Sequence, residues 1–499
     1  MENFLTSLSE IMSLNIIFLM IVGVIAGIIF GSIPGFTITM AVALTLPFSF
    51  AMEPLAGISL MMGVWAGGAS GGLITSILLG IPGTPSSVAT TFDGYPMTLK
   101  GEPGRALSIG LWSSFFGTII AGVILVFAAP VLSQWALAFG PWEYFSLMVL
   151  GLSAIASMGQ GDMVKGLTAG ALGIFVGTVG QDPVLSVPRF TFGESQLLSG
   201  FDFLPVLIGI FAFSQLLSHV KKGKKTDEKV EVSKVSTSYS VKNTLKDLAK
   251  SWVSVIRSSL VGVLVGILPA AGGSIANLLS YDVAKKTSKN PESFGKGNYE
   301  GVIAAEAANN SSEGGALIPT MAFGIPGGAI TAMMLGVLLV HGIQPGPYFI
   351  SSQPTLAYGI FIAFFTAGIF ALIIQGFGIK LFVRINDVPM HYLIPIVLVL
   401  CAVGTFAINN RVFDVWALLL FGLVGYFLNN KNYSLPAFVL GVILGPMTEE
   451  NLRRAIASSP DLTLFFTRPI SGVLLGLTLI SILYAIYQEV KTYKRMKKT

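Results

Sequence analysis

The chain has 499 residues, 53% of them hydrophobic and only 11% charged, with a formal net charge of +5 and a mean hydropathy of +0.77. Soluble domains carry roughly a quarter of their residues as charges, so a water-facing globule with a single core is excluded. The few basic residues cluster at 221–250 and 491–498, a membrane-anchoring pattern and not a nucleic-acid footprint.

The N-terminus carries Glu2 and Glu10 and no Lys or Arg before residue 11, unlike the basic start of a cleaved signal peptide. Apolar runs at 11–30, 108–130, 144–158 and 361–379 are long enough, or nearly so, to cross about 30 Å of hydrocarbon as helices. Open strands leave backbone groups that lipid cannot satisfy. The expected fold is therefore an all-α integral membrane protein with about 11 transmembrane helices plus two re-entrant hairpins, counted from the apolar runs in the sequence.

In chain order, residues 1–220 read as an N-terminal membrane repeat. Its hairpin, near 22–48, has arms at 24–33 and 36–47 around Pro34, each about half a span; if 11–30 is instead a full crossing, the count changes by one and the N-terminus moves inside. A broken helix near 55–98 follows. In Gly80-Ile81-Pro82-Gly83-Thr84-Pro85-Ser86-Ser87, two prolines remove backbone donors and two glycines favour open conformations. A new helix is expected to start at Pro85-Ser86-Ser87, and Asp93 to end it. Residues 221–250 form a cytoplasmic Lys-rich linker ending in an amphipathic helix near 243–256. Residues 251–450 form a C-terminal membrane repeat, with a hairpin near 257–285 (arms 260–268 and 274–284 around Pro269) and a broken helix near 300–345. Residues 451–499 supply the last transmembrane helix and a basic cytoplasmic tail.

The halves echo each other. Gly27, Gly31 and Pro34 recur at the same spacing as Gly262, Gly266 and Pro269. Gly71-Gly72 before Gly80-Ile81-Pro82-Gly83 recurs as Gly314-Gly315 before Gly324-Ile325-Pro326-Gly327, and Leu204-Pro205 before Gly209 echoes Leu435-Pro436 before Gly441. Acidic residues flank the first hairpin and lysines the second. By the positive-inside rule the first enters from outside and the second from the cytoplasm, so the repeat is inverted. Inverted repeats with broken helices are typical of secondary transporters.

Broken helices mark the expected site. N–H groups at a helix start favour an anion, and freed carbonyls can hold a cation. The substrate-binding candidates are Pro34, Gly35, Thr37, Gly83, Thr84, Ser86, Ser87, Gly272, Gly273, Ser274, Asn309, Asn310, Gly327 and Gly328. Coupling-ion candidates are Glu306, Asn277, Ser311, Gly80 and Gly324. Glu306 and Glu313, seven residues apart, share nearly one helical face, and ionisable groups at membrane depth usually line a pathway. The bland alternatives are a packed Pro/Gly kink for each break and a helix-end position for Glu306. The histidines His219, His341 and His391 lack metal spacing. Cys401 is the one cysteine, so neither an intrachain disulfide nor a zinc cluster is expected. No phosphate loop, dinucleotide fingerprint or nucleophile elbow occurs, so catalysis and cofactors have no basis in the sequence.

The segments 80–97 and 306–319, followed by Gly324-Ile325-Pro326-Gly327, resemble the large membrane subunit of tripartite tricarboxylate transporters (TctA-like), and the likeness runs from about Gly23 to Arg454. Glu313 departs from it, standing where a small residue is expected. The resemblance implies uptake of small carboxylates of the tricarboxylate and dicarboxylate class across a prokaryotic inner membrane. It implies an ion gradient as driving force, sodium or proton, and two partners, a small membrane subunit and an extracytoplasmic solute-binding protein. A single-chain carrier for another anion or a neutral solute is the alternative. Oligomeric state stays open, a homo-oligomer included.

Overall fold

The computed structural model describes residues 2–33, 36–157, 163–182, 186–222, 240–268, 272–385 and 390–496. Pro34 and Gly35 at the first hairpin tip, Pro269, Ala270 and Ala271 at the second, and most of the 221–250 linker lie outside them.

The chain opens with α1 (Glu2–Ile11), α2 (Leu14–Ser32) and α3 (Ile38–Phe50). Thr37 starts α3 by accepting the Met40 N–H at 3.1 Å. The long α4 (Pro54–Leu79) has Pro54 in its first turn and ends on Gly80, whose φ of 68° is left-handed. One 3₁₀ turn (Pro85–Ser87) leads into α5 (Val88–Leu99), then α6 (Pro103–Ala136), α7 (Pro141–Ser157) and α8 (Met163–Gly177). A two-residue strand pair, β1 (Gly180–Gln181) and β2 (Pro188–Arg189), precedes α9 (Phe203–Leu207), a π-helical turn (Ile208–Phe213) and α10 (Ser214–Lys222).

The second half runs through α11 (Val241–Lys250), α12 (Trp252–Ile267), α13 (Gly272–Thr287), α14 (Tyr299–Phe323) and α15 (Ala329–Val340). Asn298 caps α14 by accepting the Glu300 N–H at 2.9 Å, and Gly324 (φ 72°) ends it as Gly80 ends α4. The remainder is α16 (Phe349–Ser352), α17 (Pro354–Ile385), α18 (Met390–Asn409), α19 (Val412–Asn430), α20 (Leu435–Ser458), α21 (Leu464–Thr467) and α22 (Pro469–Met496).

Among the described residues, six helices are long and apolar enough to cross a membrane, or seven if α11 and α12 form one bent span. Several expected crossings correspond to shorter apolar helices such as Met163–Gly177 and Phe203–Ser218. Four local expectations are corrected. The first arm of the first hairpin is not half a span: α2 has 19 residues, about 28 Å. The amphipathic helix expected over 243–256 breaks at Ser251, where α11 and α12 meet at 78°. Residues 451–458 complete α20, so the last long helix starts only at Pro469. Asp93 lies inside α5 and does not end it.

The chain forms two compact units that cut across the sequence halves: Met1–Leu132 with His219–Leu400, and Ser133–Ser218 with Cys401–Thr499. Both hairpins and both broken helices fall in the first. There α2 packs along α4 because small residues let the backbones touch. A Cβ on Gly27 would meet the Val64 carbonyl, one on Gly31 the Gly68 carbonyl, and one on Gly71 the Ile28 carbonyl. Helices α12 and α14 repeat the arrangement: Gly262 faces the Ala308 carbonyl, Gly266 that of Ser312, and Gly315 that of Val263. These contacts align Gly71 with Gly315 and Gly72 with Ala316, one residue off the pairing that the Gly-Gly doublets suggest.

In the second unit α8 packs on α20 through Gly173, which faces the Phe438 carbonyl, and Gly441, which faces that of Gly170. Next to the strand pair, Asp182 bridges Arg189 (3.0 Å) and Arg453 (2.9 Å).

Candidate functional site

The two breaks share one local chemistry. At the first, the Thr84 N–H donates to Ser87 Oγ at 3.2 Å, and that hydroxyl donates back to the Thr84 carbonyl at 2.9 Å. At the second, the Gly328 N–H donates to Thr331 Oγ1 at 2.9 Å and the hydroxyl returns to the Gly328 carbonyl at 3.0 Å. Each loop is pinned to its long helix by a hydroxyl one turn before the break. Ser76 Oγ donates to Ser87 Oγ at 2.9 Å, and Thr320 Oγ1 accepts the Gly327 N–H at 3.3 Å. A bare Pro/Gly kink needs neither device. Several N–H groups expected to be free for an anion therefore already have partners here. The Ala89 N–H, in the first turn of α5, also has one, donating to Asn277 Oδ1 at 2.8 Å.

The second hairpin docks on the first break. Where α13 begins, a Cβ on Gly273 would stand 2.5 Å from Asn309 Oδ1, 3.0 Å from Ser86 Cβ and 3.3 Å from Ser312 Oγ. A Cβ there would crowd all three, and the glycine joins three chain segments: the hairpin tip, the 3₁₀ turn and the middle of α14. Asn309 Nδ2 also donates to the Ala69 carbonyl of α4 at 3.3 Å. Thus Ser86, Gly273 and Asn309 come together, with Thr84 Oγ1 3.2 Å from Ser86 Oγ. Gly83 packs behind them, where a Cβ would meet the Gly31 carbonyl and, at 2.7 Å, Thr75 Oγ1. Gly272 (φ 55°) and Gly328 border open space. Ser274 follows Gly273 in the first turn of α13, half-buried.

Asn310 is separated from Asn309, because neighbouring residues on a helix point about 100° apart. It accepts from Ser70 Oγ at 3.3 Å and lines a tight gap with Ser70, Ser114 and Thr118. Glu306 belongs to this second network. It is fully buried in the interior of α14, which removes the helix-end alternative. Its Oε1 accepts from Thr90 Oγ1 at 2.5 Å and its Oε2 from Ser114 Oγ at 2.9 Å. Ser311 faces α12, where it meets Gly262. Gly80 and Gly324 end the two long helices, one against the Tyr95 ring and the other against the Pro345 carbonyl. Neither joins Glu306, and Asn277 is occupied with α5. The sequence did not single out Ser312, Ser70 or Ser114; their only signal is a small hydroxyl inside an apolar helix.

Asp93 ties α5 to the start of α14. Its carboxylate accepts from Tyr281 Oη at 2.8 Å and from the Gly297 and Asn298 N–H groups at 2.7 Å each. Removing it strands the buried Tyr281 hydroxyl and two partly buried N–H groups, so Asp93→Ala is expected to cost about 3 kcal/mol and to lower the unfolding temperature measured by tryptophan fluorescence in detergent. An unchanged midpoint would contradict these contacts.

No solved structure matches the chain. A protein of Agrobacterium vitis described as an uncharacterized 52.8 kDa protein in the TAR-I ttuC' 3' region is 36% identical over 472 residues, covering 94% of this chain and 93% of its own length. A second from that organism, an uncharacterized protein in the TAR-II ttuC' 3' region, is 38% identical over 232 residues, 46% of this chain and 96% of its own. Residues 17–440 match the family described as "Tripartite tricarboxylate transporter TctA family". On that match and on its apolar helices, this chain is a multi-pass membrane protein and belongs to the tripartite tricarboxylate transporter TctA family.

Proposed function

We propose that the chain is the large permease subunit of a binding-protein-dependent secondary transporter, driven by an ion gradient and taking up small carboxylates of the tricarboxylate and dicarboxylate class. Its place is a prokaryotic inner membrane. The Lys-rich 221–250 linker and the C-terminus face the cytoplasm, as does the second hairpin, and the first hairpin enters from outside, so that the two halves are inverted repeats. A small membrane subunit and an extracytoplasmic solute-binding protein complete the machine.

The observation that carries this reading is the convergence of Gly273, Ser86 and Asn309 beside the break that follows α4. It gathers the start of α13, a serine hydroxyl and a side-chain amide in one place, polar groups of the kind that hold a small carboxylate once the amide turns an N–H toward it. Each half offers one such break, and opening one while closing the other gives alternating access. Pro34, Gly35, Thr37, Gly272, Ser274, Gly327 and Gly328 border the substrate path in this reading. The coupling ion, sodium or proton, binds along the polar face of α14 that holds Glu306.

Uptake by membrane vesicles tests this. Labelled di- and tricarboxylates are offered with and without the solute-binding protein, under a sodium gradient or a pH gradient. Accumulation is expected to need the binding protein and one of the two gradients. Uptake indifferent to the binding protein would favour a single-chain carrier, and no uptake of any carboxylate would overturn the reading.

A further inference from the structure

Glu313 lies two turns along α14 from Glu306, on nearly the same face. It is 3% exposed, and among the described residues neither of its carboxylate oxygens has a hydrogen-bond partner. Glu306 has two hydroxyls donating to it. The two acids are thus provided for differently, one accepting two hydrogen bonds from its neighbours and one with no donor among the described residues. A buried carboxylate without donors or a cation is stable only as the neutral acid.

Among the described residues no charged side chain is bonded to Glu313; Glu53, His341 and Tyr348 stand just beyond the ends of α4, α15 and α16. At the level of Glu313, α12 presents the backbone of Val263 and Gly266, and α6 presents Ala121. Helices α4, α15 and α16 carry no titratable residue. The groups on the other packed helices sit toward the opposite end of α14. Asp93 is bonded to Tyr281 and to the Asn298 N–H, Arg105 lies over the Tyr299 ring, and Arg257 is bonded to Thr287. Tyr95 is in the later part of α5, and Asp282, Lys285 and Lys286 are in the last turns of α13. On α17, which packs on α4 and α6, Tyr358 is in the second turn and Lys380 and Arg384 are near the far end. The register that matches Gly80 with Gly324 places Ala69 opposite Glu313, so the acid is an addition to one half only.

We propose that Glu313 is the proton-carrying group of the transport cycle, which names the coupling ion of the proposed carrier and rests on that reading. In the state that faces the proton-rich side, water delivers a proton and the carboxyl O–H bond forms. The neutral acid is then buried as seen here. When the opposite face opens, the O–H bond breaks and the proton leaves to water on the other side, so one proton moves inward per cycle and the gradient is the only co-reactant. Glu306 keeps its two donors throughout and anchors α14 to α5 and α6.

Two measurements on the full chain test this. In lipid at neutral pH, infrared spectra are expected to show a carboxylic-acid C=O stretch that Glu313→Gln removes and Glu306→Gln leaves in place. In vesicles, Glu313→Gln is expected to keep exchange of labelled carboxylate at equal pH and to lose accumulation driven by a pH gradient. The proposal is overturned if the wild type lacks the acid band, if Glu313→Gln retains it, if that variant still accumulates substrate on a pH gradient, or if wild-type accumulation follows sodium alone. Should the wild type take up no carboxylate while the band behaves as expected, the transport reading fails and the cycle with it, and the surviving band separates that failure from one of protonation.

Discussion

An Asn309→Ala variant is expected to insert at wild-type levels and to take up no carboxylate. The hydrogen bond it loses to the Ala69 carbonyl is long, at 3.3 Å, and such a bond contributes about 1 kcal/mol to stability. Helix α14 is otherwise held by its glycine contacts with α12 and by the Asp93 tie, so the fold survives. What the variant removes is the amide that faces Gly273 and Ser86. A transport site built to hydrogen-bond its substrate discriminates steeply when one of its polar partners is missing. Size-exclusion profiles together with uptake check both halves of the claim. Uptake within about twofold of wild type, a change of only about 0.4 kcal/mol, would remove Asn309 from the path.

The second large effect is on folding. Gly266→Leu is expected to abolish monodisperse protein, because its Cβ would collide with the Ser312 carbonyl and the neighbouring Gly315 backbone. Neither is a flexible side chain that can turn away. Helices α12 and α14 must separate along their length, at a cost of about 3 kcal/mol or more. Gly31→Leu, at the matching place against Gly68, should fail in the same way. Gly476→Leu on α22, whose Cβ meets nothing within 4 Å, is the control and should behave as wild type. A stable, monodisperse Gly266→Leu would contradict the packing of the hairpin on its long helix.

Much of this architecture was legible in the residues. Gly80-Ile81-Pro82-Gly83 and its recurrence at 324–327 locate both breaks, because two features that end helices coincide at each. The Gly27/Gly31 and Gly262/Gly266 spacings locate the faces that meet the long helices. Two things were not legible. The separation of Asn309 from Asn310 escaped because adjacency in sequence hides a rotation of about 100° on a helix. The partners of Glu306 escaped because Thr90 and Ser114 come from helices that only tertiary packing brings to it. Asp93 misled for the same reason: its acceptors serve α13 and the start of α14, so it stabilises α5 from within.

The account rests on a carboxylate entering beside the first break, and reactivity at Ser86 tests that most directly. With the native thiol removed by Cys401→Ser, a Ser86→Cys variant in membrane vesicles is treated with a membrane-impermeant thiol reagent. The account predicts modification that slows when a carboxylate accumulated by the same vesicles is present. Modification at one rate with and without every such carboxylate would contradict it.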